Sequence, residues 1–443
     1  MPTFRAPRGT RDLLPDEAAR FLEFARVARD LTDRYGYRPI ETPLFELAAV
    51  FERGIGEVTD VVEKELFRLL PRTEEAESWA LRPEPTAGIA RAYVQHGMQT
   101  WPQPVRLAMT GPMFRYDRPQ AGRYRQFWQF DVEAIGDAGP AIDAEIIELG
   151  HRFYAEVGAR GVEVQVNSIG DPACRPAYLA TLVAYYRDAG TALPPTERDR
   201  LERNPLRLLD SKDPAMAALN AVAPRITDHL CGACQAHFDA VLIHLDALAV
   251  PYRVAAGLVR GLDYYTRTAF EYYVAGREGQ QQAIGGGGRY DGLVELMGGR
   301  PTPGIGFGLG LDRVALVLDG QAAAAADGIA NDGGVAGPSP IDLQLPDAVV
   351  VSADPADTVG RLRIATELRA AGLGARADLG NRKLGRQLEA AVKAGAHFAV
   401  ILGDELAEGM VGLRDLKAGT QRPAPLEGLA RELRRADTTH HHG

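Results

Sequence analysis

Two strand-rich segments, residues 104–136 and 254–290, are separated by a long stretch with the spacing of helices. The run from Val105 to Met109 is typical of a strand, whereas the intervening stretch carries one helical stripe: Phe238, Val241, Leu242, Leu245 and Leu248. One sheet must therefore be assembled from segments on both sides of helices. We predict a helical insertion over residues 173–249 within a larger domain of residues 1–172 and 250–322.

The rest of the chain follows a different pattern. Residues 323–343 are rich in alanine, glycine and proline, which is typical of a linker. Beyond it, strand-like runs at 348–351 and 398–402 alternate with helical spacing. This alternation predicts a small, mostly parallel α/β unit over residues 344–436, followed by a tail over residues 437–443.

Composition excludes several classes of protein. The 443 residues suggest about three domains at about 150 residues each. Three cysteines are too few for a disulfide framework, and the apolar runs fall far short of the ~18 residues that cross a bilayer. No apolar stretch follows the basic N-terminus. We therefore expect a cytoplasmic protein without a membrane partner.

A basic segment stands out against a net charge of −9. From Arg115 to Gln129, four arginines and one aspartate give a local charge of +3 around a turn at Pro119–Gly122. Arginine forks suit polyphosphate, and the segment also offers flat faces for a base: Tyr124, Phe127 and Trp128. A solvated hairpin is the alternative, but this combination favours an anionic ligand.

The string FRYDRPQAGRYRQF within this segment resembles motif 2 of class II aminoacyl-tRNA synthetases, in the form used by histidyl-tRNA synthetases. The resemblance implies that Arg115 is the catalytic arginine, which contacts the α-phosphate of ATP and the substrate carboxylate. It assigns Arg123 and Arg125 to the ATP phosphates. Phe127 falls where adenine stacks in the family.

A second string, Arg-Gly-Leu-Asp-Tyr-Tyr at 260–265, matches the family's histidine-specific motif without a change. The resemblance implies that Arg260 stabilises the adenylation transition state, which needs fixed positive donors. Tyr264 would bond an imidazole nitrogen and Tyr265 would line the same pocket. A tyrosine pair alone would indicate only a strand.

Two glycine-rich strings follow. Gly-Gly-Arg-Tyr-Asp at 287–291 resembles the family's second histidine motif, and no Gly-Lys-Ser/Thr follows that would indicate a P-loop. The string at 304–313 resembles motif 3, a strand that leads into a helix. Its arginine, Arg313, would reach the γ-phosphate of ATP.

Residues 81–86, Leu-Arg-Pro-Glu-Pro-Thr, resemble the family's Arg-Pro-Glu-Gly-Thr, with proline at position 85 in place of glycine. The resemblance implies that Glu84, Thr86 and Gln129 receive the α-amino group of histidine. Glu133, which shares strand parity with Gln129, would bond the imidazole together with Tyr264. A site built on such bonds rejects isosteres that lack them.

The resemblance extends from Arg8 to about Gln421 and implies a fold. We expect an α+β catalytic domain with a mixed, mainly antiparallel sheet and a helical insertion. A small C-terminal α/β domain would bind the anticodon. Motif 1, around the first helix and Pro43, implies a homodimer, and the triphosphate implies Mg²⁺ beside ATP.

The expected activity is that of a histidine–tRNA ligase, with L-histidine, ATP and histidine tRNA as its substrates. By the family's pattern, the motif 2 loop approaches the extra 5′ guanosine of the tRNA, and C-terminal cations contact its phosphates. The residues concerned are Arg118, Gln120, Arg382, Lys383 and Arg386. Charges on the C-terminal helix are equally typical of a solvated face.

Two other functions share parts of this pattern. A regulatory subunit of ATP phosphoribosyltransferase has the catalytic-domain fold but generally lacks the C-terminal domain and loses catalytic motif residues. A ligase that adenylates without tRNA would not require the C-terminal domain. Glu84, Arg115 and Gln129 favour the synthetase over the regulatory subunit.

Cys231 and Cys234 form a CxxC pair. A zinc site needs four ligands, and the sequence has no second such pair. His229 and His237 are near enough for a Cys/His site, but a pair of cysteines at a helix start is the simpler interpretation. We therefore predict no metal site built from protein side chains.

Overall fold

The computed structural model describes residues 4–56, 59, 61–70, 73, 77–190, 193–211, 213–259, 262, 264–275, 283–326 and 346–440. The chain divides into two compact units, residues 1–338 and 339–443. This division falls within the linker predicted over residues 323–343, most of which lies outside the described residues. The alanines at its start continue a helix to Ala326, since alanine is the best helix former.

The strands of the first unit are β1 (Arg38–Pro39), β2 (Phe45–Leu47), β3 (Trp79–Leu81), β4 (Val105–Phe114), β5 (Gln126–Ile135), β6 (Val162–Ser168), β7 (Tyr252–Val254), β8 (Thr266–Val274), β9 (Gly285–Arg289) and β10 (Gly304–Gly310). Strands β2 and β3 pair with each other. The others form one sheet in the order β1-β4-β5-β10-β9-β8-β6-β7. Among these strands, β1–β4 and β6–β7 are parallel and the other neighbours antiparallel. The prediction of a mixed, mainly antiparallel sheet is confirmed.

The helices of the first unit are α1 (Pro15–Arg34), α2 (Ala48–Ile55), α3 (Thr86–Gln95), α4 (Pro140–Glu156), α5 (Arg175–Asp188), α6 (Pro195–Arg203), α7 (Pro214–Ala221), α8 (Gly232–Ala247), α9 (Leu293–Leu296) and α10 (Leu311–Ala326). Helix α1 begins at a proline with acidic residues in its first turn, which suits the helix dipole. Its buried face joins α4, α8 and α10 in one core against the sheet. None of the described helices combines the length and apolar character needed to cross a membrane.

Strand β10 shows why the two faces of the sheet differ. Ile305, Phe307 and Leu309 are buried in the helix-covered core. The glycines between them lie on the other face, where a Cβ on Gly306 would overlap the carboxylate of Glu133 and one on Gly308 the amide of Gln129. The alternation therefore leaves room for polar side chains of β5 on the open face.

The helical stretch between β6 and β7 has two parts. Helices α5, α6 and α7 bury Tyr178, Leu201 and Met216 in a separate core. Helix α8 instead buries Phe238 and Val241 in the main core against α4. The separate helical core thus ends before α8, because the stripe on α8 packs on the catalytic unit. The insertion was predicted to run to residue 249.

The second unit contains β11 (Ala348–Ser352), β12 (Ala375–Ala377), β13 (Phe398–Leu402), β14 (Met410–Asp415) and β15 (Gln421–Pro425), with helices α11 (Thr358–Ala370), α12 (Leu384–Lys393) and α13 (Leu429–His440). The strand order is β12-β11-β13-β14-β15, parallel from β12 to β13 and antiparallel beyond. The small α/β unit is confirmed. Helix α13 runs into the stretch predicted as a tail.

Candidate active site

The open face of the first sheet carries a cleft of about 430 Å³. The hairpin of β4 and β5 forms one side, and β9 and β10 form the floor. Its polar lining includes Arg115, Asp117, Arg123, Gln129, Glu271 and Arg313. Arginines of the hairpin therefore meet Arg313, which is distant from them in sequence, on one surface.

Both arginines and carboxylates line this cleft: Arg115, Arg123, Arg207 and Arg313 stand with Glu65, Asp117, Glu271 and Asp312. Burial, together with the nearby charges of Arg123 and Arg115, lowers the pKa of Arg313 below its ordinary value. Asp117 offsets part of that charge, since its carboxylate lies 3.1 Å from the guanidinium of Arg123. Cations held this close together favour an anionic ligand that carries several charges.

Arg115 lies at the junction of this cleft with a smaller, deeper pocket. Its Nε donates to the carbonyl of Pro83 at 2.9 Å, and its guanidinium lies 5.3 Å from the ring centre of Phe127. The smaller pocket has a volume of about 50 Å³, and Arg115 and Gln129 line both cavities. A ligand in one cavity can therefore react with a ligand in the other beside these two side chains.

Glu84 forms part of the wall of the smaller pocket and caps α3. Its carboxylate accepts hydrogen bonds from the backbone N–H of Thr86 at 2.9 Å and of Ala87 at 3.0 Å. The hydroxyl of Tyr264 donates to it at 3.4 Å. Burial raises the pKa of Glu84. Pro85 is accommodated here because its φ of −93° is not in the left-handed region that would require glycine, and its missing N–H removes no hydrogen bond of α3.

Glu133 lies behind the pocket rather than on its wall. One carboxylate oxygen accepts from the hydroxyl of Thr86 at 2.6 Å, and the other accepts from the hydroxyl of Tyr290. Burial raises the pKa of Glu133 to about 8. Thr86 and Tyr290 line the pocket, so Glu133 orients two hydroxyls that face its interior.

The chain is similar to known proteins over most of its length. The family model described as "Histidyl-tRNA synthetase" matches residues 9–170 and 188–314. A histidine–tRNA ligase of Moorella thermoacetica is 46% identical over 424 residues, which is 96% of each chain. The chain belongs to the histidyl-tRNA synthetase family.

Further similarities extend across both units of this synthetase-family chain. The histidine–tRNA ligase of Desulforudis audaxviator is 44% identical over 97% of this chain and 98% of its own. The crystal structure of apo S. aureus histidyl-tRNA synthetase aligns with a TM-score of 0.77 at 32% identity, covering 97% of this chain and all of that one. The "Anticodon binding domain" model matches residues 347–436. The regulatory-subunit alternative is therefore not favoured.

Some residues assigned through the family resemblance lie outside the two cavities. The guanidinium of Arg125 stacks 3.7 Å from the ring centre of Tyr116 and donates to the carbonyl of Arg8 at 3.2 Å. It holds the N-terminal segment and is not among the described residues that line the cleft. Arg118 and Gln120 are exposed at the tip of the hairpin. Arg260 lies outside the described residues.

The two tyrosines of the histidine motif lie at the pocket of this synthetase-family chain. Tyr264 and Tyr265 line it, with ring centres 4.6 Å apart. The backbone carbonyl of Tyr265 accepts from Arg175 at 2.7 Å, which attaches this wall to the start of α5. In the second unit, three predicted cations are exposed around the start of α12: Arg382, Lys383 and Arg386.

Asp131 is a pocket residue that the family motifs did not point out. It lies on β5 between Gln129 and Glu133 and is 2% exposed. Its Oδ1 accepts from the amide of Gln129 at 3.3 Å, while Oδ2 has no hydrogen-bond partner among the described residues. Burial, and then the charges of Glu133 and Glu84, raise the pKa of Asp131 well above its ordinary value. Strand parity with Gln129 is the signal that could have found it.

Proposed function

We infer that the protein is a histidine–tRNA ligase. It activates L-histidine with ATP to histidyl-adenylate and pyrophosphate, and then transfers histidine to the 3′ end of histidine tRNA. The observation that carries this proposal is the junction at Arg115, where a cleft that contains four arginines meets a pocket lined by the carboxylates of Glu84 and Asp131. ATP suits the cleft and a small amino acid suits the pocket.

The proposed first step takes place at this junction. A carboxylate oxygen of histidine attacks the α-phosphorus of ATP, a new P–O bond forms, and pyrophosphate leaves. Arg115 neutralises charge on both reacting groups, while Arg123 and Arg313 hold the departing phosphates. Arg260 adds a further positive donor to the transition state, and Phe127 offers its ring to adenine.

Histidine recognition uses the smaller pocket. Glu84, Thr86 and Gln129 receive the α-amino group, because an ammonium needs acceptors that are themselves held in place. Tyr264 and Tyr265 border the imidazole, and Glu133 acts through the hydroxyls that it orients. The Oδ2 of Asp131 adds an acceptor for a substrate N–H.

Transfer completes the reaction when the terminal ribose hydroxyl of the tRNA attacks the carbonyl carbon of the adenylate and AMP leaves. Arg118 and Gln120 at the hairpin tip face the acceptor end of the tRNA in this proposal. Arg382, Lys383 and Arg386 contact its phosphates in the second unit. Exposure of all five side chains supports contact with a large partner.

Mg²⁺ fits the cleft, since a hard cation prefers oxygen ligands and the carboxylate of Glu271 lies on the wall. Bound there, the ion would neutralise part of the triphosphate charge. The side chain of Glu271 accepts from the hydroxyl of Tyr273, which fixes its direction. The three free thiols fit a reducing cytoplasm as the site of action.

A homodimer is also proposed. Leu44, Phe45, Leu47 and Trp79 are exposed together beside motif 1, and the rings of Phe45 and Trp79 stack 5.4 Å apart. Exposed apolar side chains that cluster in this way mark interaction surfaces. Sedimentation velocity of the full chain should give twice the mass of the monomer.

Histidine-dependent exchange between pyrophosphate and ATP is the decisive experiment. The proposal expects exchange with histidine and none with other amino acids, and then esterification of histidine tRNA. A folded protein that shows no exchange would overturn the proposal of a histidine–tRNA ligase. Exchange without esterification of histidine tRNA would leave only an adenylating enzyme.

A further inference from the structure

The three cysteines of the chain and one aspartate form a cluster away from both cavities. Asp171 and Cys174 follow β6, while Cys231 and Cys234 begin α8. One side-chain oxygen or sulfur atom from each residue lies within 4.8 Å of the other three. The chain contains three cysteines in total, so every thiol of the protein is in this cluster.

The fold supplies the ligands that the CxxC pair lacked in the sequence, against the prediction of no metal site. The histidines that the sequence offered as partners bond elsewhere, since His237 lies 2.9 Å from Asp143 and the ring of His229 packs on Tyr178. The second pair of ligands comes instead from Asp171 and Cys174. The helical insertion separates a DxxC pair from a CxxC pair in sequence, and the fold brings the two pairs together.

The geometry suits a tetrahedral ion. With Zn–S bonds of ~2.3 Å, ligand atoms around zinc are about 3.8 Å apart. The Sγ of Cys174 already lies 3.5 Å from Oδ1 of Asp171, so closure on an ion needs only small side-chain movements. Donors of this softness favour zinc over magnesium or calcium.

The surroundings suit ionised ligands. The backbone N–H of Asp171 donates to the sulfur of Cys174 at 3.4 Å, and Cys231 stands at the N-terminus of α8, where a thiolate is stabilised. The guanidinium of Arg267 lies 3.5 Å from the carboxylate of Asp171. Cys174 and Cys234 are buried, which keeps water from the cluster.

We propose that Asp171, Cys174, Cys231 and Cys234 bind one zinc ion, which holds together the two chain segments that enter and leave the helical insertion. Four protein ligands leave no open position, so the ion is structural. Binding forms three zinc–sulfur bonds and one zinc–oxygen bond, and the thiol protons pass to solvent. No change of oxidation state is involved.

The site also bears on the histidine pocket. Arg175, next to Cys174, donates to the carbonyls of Ile169 and Gly170 at 3.1 Å and of Tyr265 at 2.7 Å. The ligand segment is therefore bonded to the wall that Tyr265 forms. Removal of zinc should increase hydrogen exchange in residues 175–230 and in the segment around Tyr265.

Metal analysis of the full chain tests the site directly. Protein from zinc-supplemented cells, purified without immobilised-metal resin, should contain one zinc per chain by mass spectrometry. Replacement of zinc by Co²⁺ should give a thiolate-to-cobalt charge-transfer band and the d–d bands of a tetrahedral site. A zinc-free protein, or a cobalt form without the thiolate band, would overturn the proposal.

Variants locate the ion. Cys174→Ser and Cys231→Ser, one from each pair, should lose zinc and the cobalt band. His229→Ala should keep both. The triple variant His440→Ala, His441→Ala, His442→Ala should also keep both, which controls for binding by the terminal histidines. Loss of zinc in the variant of the terminal histidines, or retention of zinc in both serine variants, would contradict the proposed zinc site.

A measurement on the unmodified chain covers the case in which the serine variants do not fold. Alkylation of the three cysteines should be slow with zinc and at least about tenfold faster after chelation, since a metal-bound thiolate is shielded. Readdition of zinc should restore the protection. Equal alkylation rates with and without zinc would exclude the cysteines as ligands.

Discussion

The hydroxyl of Thr86 donates to the carboxylate of Glu133 across 2.6 Å, although 47 residues separate them in sequence. The bond joins the first turn of α3 to the C-terminal part of β5. It also uses an acceptor that the sequence assigned to the imidazole of histidine. Because the other oxygen of Glu133 accepts from Tyr290, the open acceptors of the pocket must come from other side chains.

Asp131→Asn should weaken histidine binding and stabilise the empty protein. The buried Oδ2 of Asp131 has no partner among the described residues, so ionisation of this carboxyl costs stability until a substrate N–H pairs with it. Loss of a charge-assisted bond corresponds to about a tenfold to hundredfold higher KM for histidine. Steady-state exchange kinetics and thermal unfolding measure the two effects.

Asp239→Asn provides the matched control for this change. Asp239 is exposed on α8 and accepts from the side chain of Gln235, so its replacement should alter neither quantity. The assignment of Asp131 fails when its asparagine variant keeps the wild-type KM for histidine.

Glu133→Gln should reduce the dependence of stability on pH. Burial raises the pKa of Glu133 from 4.5 to about 8, so the folded protein holds a proton that the unfolded chain releases between these values. The contribution of Glu133 to the free energy of unfolding is complete below pH 4.5 and is lost as the pH rises through about 8. The Tm of the empty wild-type protein should therefore fall across this range.

Thermal unfolding of both proteins over that pH range tests the prediction, since glutamine cannot titrate. Glu405→Gln, at an exposed carboxylate of the second unit, should keep the wild-type pH profile. Identical pH profiles for wild type and Glu133→Gln would exclude this carboxyl as the titrating group.

Arg123→Ala and Arg125→Ala should differ although the two arginines are nearly adjacent. Arg123 lines the cleft, so its loss should raise the KM for ATP about tenfold or more, as expected for a charged hydrogen bond. Arg125 stacks on Tyr116 and bonds the N-terminal segment, so its loss should affect stability more than ATP binding. Equal effects on the KM for ATP would show that Arg125 also reaches the triphosphate.

These residues also show what could be predicted from the sequence. The sheet, the arginine hairpin and the small second unit follow from periodicity and family motifs that are local in the chain. Strand parity places Gln129 and Glu133 on one face of β5. It cannot reveal that the hydroxyl of Thr86 donates a hydrogen bond to Glu133. Arg123 and Arg125 precede β5, which begins at Gln126, so strand parity says nothing of their directions.

Contacts between segments that are distant in sequence could not be predicted either, because a local pattern does not show which segments meet. Asp171 and Cys231 meet because α8 packs on the main core, and the stripe on α8 shows that it is amphipathic without showing what it packs against. Strands β14 and β15 pair through backbone atoms. Strand β14 is short, and β15 buries only Ala424, so the run of β15 shows no alternation of apolar residues.

Arg260→Ala should slow adenylation by about a hundredfold to a thousandfold, the usual cost of removing a fixed donor to a charged transition state. Arg260→Lys should recover part of the rate, because lysine restores the charge without the planar fork. Rapid-quench measurement of histidyl-adenylate formation separates this step from transfer to tRNA. Unchanged circular dichroism and Tm would show that the fold is intact, and a wild-type rate in the alanine variant would remove Arg260 from the mechanism.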